Sequence, residues 1–303
     1  MAIPQIPQHM GMNIVIVGSN GRIGSALARR FASRPGIDVL ALDRAALPLD
    51  DVAGIARRMQ GRRFDLLINA AAITNVDICE ENPAAAWRIN AEAPAALAAV
   101  CRGQRARMIH LSTDYVFDGH EAGWRVEEEA ARPMGQYGRS KLGGEIRVMQ
   151  AAPANLVVRT SWVFGSRRPS FPDMILDQAR EGKVVSAIAD KWSCPCYNED
   201  FARWMEILAH RPEIGGLLHL CNAGECTWRE YAQAVLDIAA DLGVEIRQPD
   251  VQPTALASMT RFVAPRPIHS SMSTARFTRL TGHTPRPWRM ALRAYLEAKL
   301  TQP

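Results

Sequence analysis

Short apolar runs alternate with amphipathic stretches through the first half of the chain. Residues 13–18, NIVIVG, are β-branched and end in glycine, as a strand buried on both faces of a parallel sheet does. Residues 22–31, RIGSALARRF, set Ile23, Ala26, Leu27 and Phe31 on one face and predict a helix directly after that strand. Further strands are predicted at 37–43 (IDVLALD), 64–72 (FDLLINAAA), 106–113 (ARMIHLST) and 155–165 (NLVVRTSWVFG). Helices fall between them. One lies between the second and third strands, an Ala-rich one opens at Pro83 and runs to about Cys101, and one spans about Tyr137 to Gln150. Strand alternating with helix predicts an α/β fold: a Rossmann-type doubly wound parallel sheet with helices on both faces.

The pattern loosens after Gly165. Short strands are predicted in VVSAIA (184–189) and GLLHLC (216–221). Thr227 and Glu230 form a Thr-x-x-Glu capping box that opens a helix over 227–242, and a last helix covers about 287–300. The expected division is a dinucleotide-binding domain at 12–165 and a smaller, mainly substrate-binding lobe at 166–303. Some segments of the second stretch are free to return to the first domain.

Composition narrows the class. The 303 residues are 48% hydrophobic and 22% charged, enough for a large core. No apolar run reaches the length of a membrane span, so no membrane partner is expected. Residues 1–11 have neither a positive n-region nor an apolar h-region, so no signal peptide is expected there. The net charge is +5, but the arginines are scattered. That argues against nucleic acid and suits an anionic small molecule. Six cysteines stand at 79, 101, 194, 196, 221 and 226, off the usual zinc spacing. Buried reduced thiols in a cytoplasmic protein are expected, and no metal.

The turn after the first strand reads GSNGRIG, with Gly18, Gly21 and Gly24. Glycine there permits a tight turn, close approach of a pyrophosphate and close helix packing. The helix start then offers free N–H groups to the phosphates. The spacing is G-x-x-G-x-x-G, and the strand–turn–helix context strengthens it. Asp43 ends the second strand, 19 residues beyond Gly24, where an acid takes the adenosine ribose hydroxyls. Arg44 beside it can pair a 2′-phosphate, which leaves NADH and NADPH both open.

Tyr137 and Lys141 stand four apart on one predicted helix face, and Lys141 is one of only four lysines. A nearby ammonium stabilises a phenolate, so the spacing suits proton transfer, with the lysine also free to hold a ribose. Upstream, Ser112, Thr113 and Asp114 close the fourth strand, the end where ligands bind in open α/β sheets. A hydroxyl there can hydrogen-bond a carbonyl under reduction.

These segments, in order, resemble the extended short-chain dehydrogenase/reductase family, and within it the dTDP-4-dehydrorhamnose reductases. The resemblance rests on NIVIVGSNGRIGSAL, FDLLINAAAITNVDICEENPAAAWRINA, IHLSTDYVFDG, YGRSKLGGE, VVRTSWVFG and RPWRMALRAYL. It implies NAD(P)H-dependent reduction of the 4-keto group of a nucleotide-activated deoxysugar. Tyr137 would protonate the sugar oxygen, Lys141 would tune Tyr137 and bind ribose, and Thr113 would polarise the keto group. The cofactor set would be Gly18, Asn20, Gly21, Arg22, Ile23, Gly24, Asp43, Arg44, Asn69, Ala70, Ala71, Ala72, Asn90, Leu111 and Ser112, with Tyr137 and Lys141. Thr74, Asp114, Tyr115 and Trp162, with Thr113 and Tyr137, would face the sugar. Arg266 would meet its diphosphate.

The departures lie mostly on the substrate side. Ile73 stands where the family has an aromatic residue or His, and Pro48 where it has an acid. The loop DKWSCPCY (190–197) replaces D-Q-x-G-S-P-T-Y. APRPIHSSM (264–272) keeps Arg266 but carries His269, Ser271 and Met272 in place of Asn, Arg and Leu. That pattern favours a related nucleotide-sugar ketoreductase. Some relatives dimerise around magnesium, so a homodimer is an open expectation, although no acidic cluster here is assignable to that ion. Two rivals are a non-catalytic NADP-binding regulatory subunit, similar to that of methionine adenosyltransferase, and a reductase of a carbonyl that carries no nucleotide.

Overall fold

The computed structural model describes residues 11–301. The reading of the first ten residues lies outside them. Six strands form the main sheet: β1 (Met12–Val17), β2 (Ile37–Leu42), β3 (Leu66–Asn69), β4 (Arg107–Thr113), β5 (Leu156–Thr160) and β6 (Gly216–His219). All pairings are parallel, in the spatial order β6-β5-β4-β3-β1-β2. The order reverses between β1 and β3. Beyond the carboxyl ends of those two strands a doubly wound sheet opens its ligand crevice.

Every residue of β4 and β5 is buried: the apolar ones show no alternation, and of the polar ones Arg107, His110, Thr113 and Arg159 find partners. On one face Ile14, Ile16, Leu66, Ile109 and Val158 pack against Leu27 and Phe31 of α1 (Arg22–Ala32) and against Phe201 and Met205. On the other, Val15, Val17, Leu67, Met108 and Val157 meet Leu97, Ala98 and Cys101. Fully burying a side chain such as Phe31 stabilises the fold by about 1.5–3 kcal/mol.

The Ala-rich helix is one continuous rod in three parts. Residues Pro83–Trp87 and Ala93–Gln104 (α2) are α-helical, and a π-turn at Arg88–Glu92 joins them. The tyrosine-bearing helix α3 runs Gln136–Ala151. The predicted strand at 155–165 is broken: β5 ends at Thr160, Trp162 has a positive φ of 39°, and Val163–Phe164 pairs instead with Cys196–Tyr197.

The stretch beyond 165 feeds both halves. Helix α4 (Asn198–Ala209) packs on α1, with Arg29–Glu199 and Arg30–Glu206 ion pairs at 2.5 Å, and β6 completes the main sheet. The second core, around Tyr231, Phe164, Leu176 and Leu292, is built by Phe171–Arg180, α5 (Trp228–Asp241) and α6 (Trp288–Leu300). Thr227 and Glu230 form the capping box at the start of α5. Among the described residues no helix is long and apolar enough to cross a membrane. All six cysteines are buried with free thiols.

Candidate active site

The glycine turn is fixed by contacts that leave no room for a side chain. Gly18 has φ +82°, and a Cβ on it would lie 2.8 Å from the Ala71 backbone beyond β3. A Cβ on Gly24 would lie 2.1 Å from the Gly18 carbonyl oxygen, so α1 crosses directly over the turn. Gly21 is the N-cap of α1 and offers no side-chain cap, so the first N–H groups of the helix face the crevice bare. The cleft above has a volume of about 780 Å³. Gly18, Gly21, Asp43, Arg44, Ala70, Ala71, Ala72 and Arg168 line it. An uncapped helix end, a crowded glycine crossing and a carboxylate at the far end of one long cleft fit a dinucleotide.

Asp43 is shaped for that end. Its Oδ1 accepts from the backbone of Ala45 and Ala46, and its Oδ2 accepts from Asn20 Nδ2 at 2.9 Å. Arg44 beside it is exposed at the cleft mouth. Ile23 is half-buried and packs against the core beneath α1.

Three residues expected to touch the cofactor have side chains engaged within the protein. The Arg22 guanidinium donates to the carbonyls of Val163 and Pro169, so it ties α1 to the second lobe. Asn90, fully buried in the π-turn, brackets Ile73: its Oδ1 accepts from Ile73 N at 2.9 Å, and its Nδ2 donates to Ile73 O and to Ser140 Oγ. Asn69 is also fully buried, between Ala71 N and His110. Both amides hold the 70–73 loop in place from behind.

At the carboxyl end of β4 the catalytic candidates converge. The Thr113 hydroxyl donates to Asp114 Oδ1 at 3.1 Å and accepts from Tyr115 N, and the Tyr137 hydroxyl lies near enough for Thr113 to influence its proton. The rings of Tyr115 and Tyr137 meet edge to face at 5.7 Å. Burial pushes the Tyr137 phenol well above its ordinary range; the Thr113 contact opposes this, and the Asp114 charge adds to it. Lys141 Nζ donates to the Leu111 carbonyl at 2.6 Å and lies 3.4 Å from His110 Nε2. Burial lowers Lys141 to about 8, against the pull of Glu145. The spacing predicts an ammonium that lowers the tyrosine. In this structure the lysine nitrogen is engaged on β4, and burial raises the phenol. Ser112 Oγ, buried beside them, has no hydrogen-bond partner.

Asp114 is the junction of the site. Besides Thr113 it accepts from Ser161 Oγ at 2.8 Å and from Ser270 Oγ at 2.6 Å. Ser161, Ser270 and the buried Lys191 are residues that sequence reasoning passed over. Lys191 donates to Pro267 O and sits 5.3 Å over the Tyr115 ring, and burial brings it to about 8. Its rarity as a lysine was the one available signal.

Of the residues expected to meet the sugar nucleotide, Thr74 is exposed. Trp162 packs among Phe171, Trp228 and Tyr231, with centroids 4.8–5.3 Å away. Arg266 spends both terminal nitrogens on Asp77, at 2.8 and 2.7 Å, and stacks 3.9 Å over Phe262. That pairing holds Asp77 down at about 2. Only Nε of Arg266 stays uncommitted to Asp77.

A family model described as the RmlD substrate binding domain matches residues 12–301. The chain belongs to this family. A dTDP-4-dehydrorhamnose reductase of Mycobacterium tuberculosis is 37% identical over 292 residues, 94% of this chain and 92% of the relative. A probable dTDP-4,6-dihydroxy-2-methyloxan-3-one 4-ketoreductase of Streptomyces antibioticus is 36% identical, covering 93% of this chain and 94% of the relative. Among solved structures, a dTDP-4-dehydrorhamnose reductase of Clostridium acetobutylicum superposes with a TM-score of 0.89 at 27% identity, covering 96% of this chain and all of that one. A Bacillus anthracis dTDP-4-dehydrorhamnose reductase, solved in complex with NADP, gives 0.86 at 26% identity over 96% and 99% of the two chains. The Rossmann-type fold expected from the strand–helix alternation is therefore the fold of the family.

Proposed function

We propose that this chain reduces the 4-keto group of a deoxysugar carried on a nucleoside diphosphate, dTDP in the first instance, with NADPH or NADH as reductant. What supports the reading is Thr113 at the carboxyl end of β4, Tyr137 and Lys141 one turn apart on α3, and a cleft lined by the glycine turn and Asp43. A reduced nicotinamide, when bound, supplies the hydride.

The chain's own residues do the rest. The bare end of α1 receives the pyrophosphate, Asp43 the adenosine ribose, and Ala70–Ala72 the face of the dinucleotide. Tyr137 places its hydroxyl next to Thr113, so a keto oxygen entering there meets two O–H donors. For Thr113 to donate to the sugar, its hydrogen must swing away from Asp114. Tyr137 delivers the proton to the developing alkoxide; a phenol held above its ordinary range in the free protein keeps that proton until the substrate arrives. Thr74, Tyr115 and Trp162 form the sugar side, and the segments around 162–197 and 222–301 make up the substrate lobe. Six buried free thiols accord with the reducing cytoplasm. A homodimer stays part of the proposal, and sedimentation would test it.

The deciding experiment follows nicotinamide absorbance with purified protein, NADPH or NADH, and a panel of dTDP-4-keto-6-deoxy sugars. Turnover is expected with at least one of them, and dTDP alone should raise the melting temperature. Dinucleotide binding without turnover on the whole panel would favour a regulatory protein. Turnover of keto compounds without any response to dTDP would favour a carbonyl that carries no nucleotide.

A further inference from the structure

The contact between Lys141 and His110 has a defined polarity, and hydrogen-bond accounting reveals it. Both side chains are buried, at 2% and 0% exposure. The backbone N–H of Ala71 donates to Asn69 Oδ1 at 3.1 Å. A backbone N–H can only donate, so the amide orientation of Asn69 is fixed. Its Nδ2 is then the atom that faces His110 Nδ1, at 3.1 Å. Nδ1 must accept, and a neutral imidazole whose Nδ1 accepts carries its hydrogen on Nε2. That hydrogen points at Lys141 Nζ, 3.4 Å away. An ammonium has no lone pair with which to receive it. An amine receives it and still donates to the Leu111 carbonyl. A doubly protonated ring would set N–H against N–H at Asn69, and burial together with Lys141 disfavours that form.

We propose that the Asn69–His110 pair is a positioning device: it presents a hydrogen-bond donor to Lys141 and biases that lysine toward the neutral amine in the free protein. The proposal rests on the reading of Tyr137 and Lys141 as the proton-handling pair and adds what controls the lysine. The groups facing Lys141 divide as follows. From its own helix, Glu145 favours the ammonium, but Glu145 is itself held bidentately by Arg159 at 2.7 and 2.9 Å. From the helix at Val76–Glu81, Cys79 pulls in the same direction. From β4, a His110 N–H at 3.4 Å would oppose them, and burial lowers the lysine most of all. With burial bringing Lys141 to about 8, its charge is adjustable where a surface lysine's is fixed.

With only four lysines in the chain, the test can be direct. Full-length protein carrying 13C at the lysine Cε is titrated by NMR without ligand, and the Lys141 signal is assigned by its loss in Lys141→Arg. Nitrogen-15 spectra of labelled histidine report the His110 tautomer. The expected result is an Nε2–H ring and a Lys141 midpoint well below the ordinary lysine range. His110→Phe should raise that midpoint by about one unit, because the donor is gone while the bulk stays. His110→Gln, whose amide can donate again, should restore it. If the Phe variant does not fold, Asn69→Asp turns the ring around with little change of volume and should also raise the midpoint. An Nδ1–H ring in the wild type, or a Lys141 midpoint that stays put in every folded variant, overturns the proposal. None of these readings needs sugar turnover, so failure here is separable from failure of the reductase reading.

Discussion

The two sides of the cleft are assembled in different ways. On the dinucleotide side the parts are neighbours along the chain: a strand, a glycine turn, a helix, and Asp43 reached by Asn20 over 23 residues. On the sugar side they are strangers. Asp114 is held by Ser161, 47 residues on, and by Ser270, 156 residues on, and Lys191 reaches Pro267 across 76. A locally built half is constrained by backbone geometry, which few sequences satisfy. A half built from loops is constrained only by the groups that happen to meet. That is why the glycine turn is intact here while the loops at 190–197 and 264–272 depart from the family pattern.

The largest test of that division is Tyr137→Phe. Turnover should fall roughly 10²–10⁴-fold while the Kd for NADPH, followed by fluorescence, stays nearly unchanged. A comparable loss of dinucleotide affinity would mean the two sides are one unit. Gly18→Ala attacks the other side. A Cβ at φ +82° costs about 1–2 kcal/mol before its collision with Ala71 is counted. Dinucleotide binding should be lost, while dTDP still raises the melting temperature of whatever folds.

Arg266→Ala sharpens the sugar side. It strips Asp77 of its partner and should destabilise the protein by about 1–3 kcal/mol, short of a fully buried pair because Asp77 is partly exposed. The pH dependence has a definite sign. Asp77 is depressed to about 2, so the pair stabilises above the ordinary carboxylate value, and that contribution fades as pH falls toward 2. The melting gap between wild type and Asp77→Asn should therefore be widest above about pH 5 and close with acid. If Arg266 also serves the diphosphate, dTDP will no longer protect Arg266→Ala. Undiminished protection confines Arg266 to the Asp77 contact.

Ser270→Ala leaves Asp114 with two hydroxyl donors instead of three. It should cost about 1 kcal/mol and raise KM for the sugar nucleotide with no change in dinucleotide Kd. The smallest effect is expected at Arg44→Ala: NADPH weakened about tenfold, NADH untouched, if the exposed guanidinium pairs a 2′-phosphate. Equal effects on both would leave Arg44 a solvated turn residue.

The same asymmetry explains what could be read in advance. Periodicity located all six sheet strands and the helix of Tyr137 and Lys141, because parallel strands buried on both faces have few alternatives to continuous apolar runs. It missed the break at Trp162, whose positive φ leaves no mark in the pattern. It missed the membership of β6 in the main sheet, since four residues of GLLH are the same whether they join one sheet or another. The pairing of Tyr137 and Lys141 was visible as spacing. The company each keeps was not, because Leu111 and His110 approach Lys141 across the sheet and not along the helix. For Asn69 and Asn90 the sequence shows that an amide is near the loop but not which way it faces.

That late-arriving strand bears on synthesis. β6 covers the outer edge of β5, and β6 is translated more than fifty residues later. At about 5–20 residues per second a ribosome leaves the hydrophobic edge of Leu156–Thr160 bare for several seconds. An uncovered apolar edge is a template for pairing with another chain. Expression at high rate, or a chain cut near 165, should therefore send this protein into aggregates through β5, and holding chaperones would be expected to seize the nascent chain in that interval.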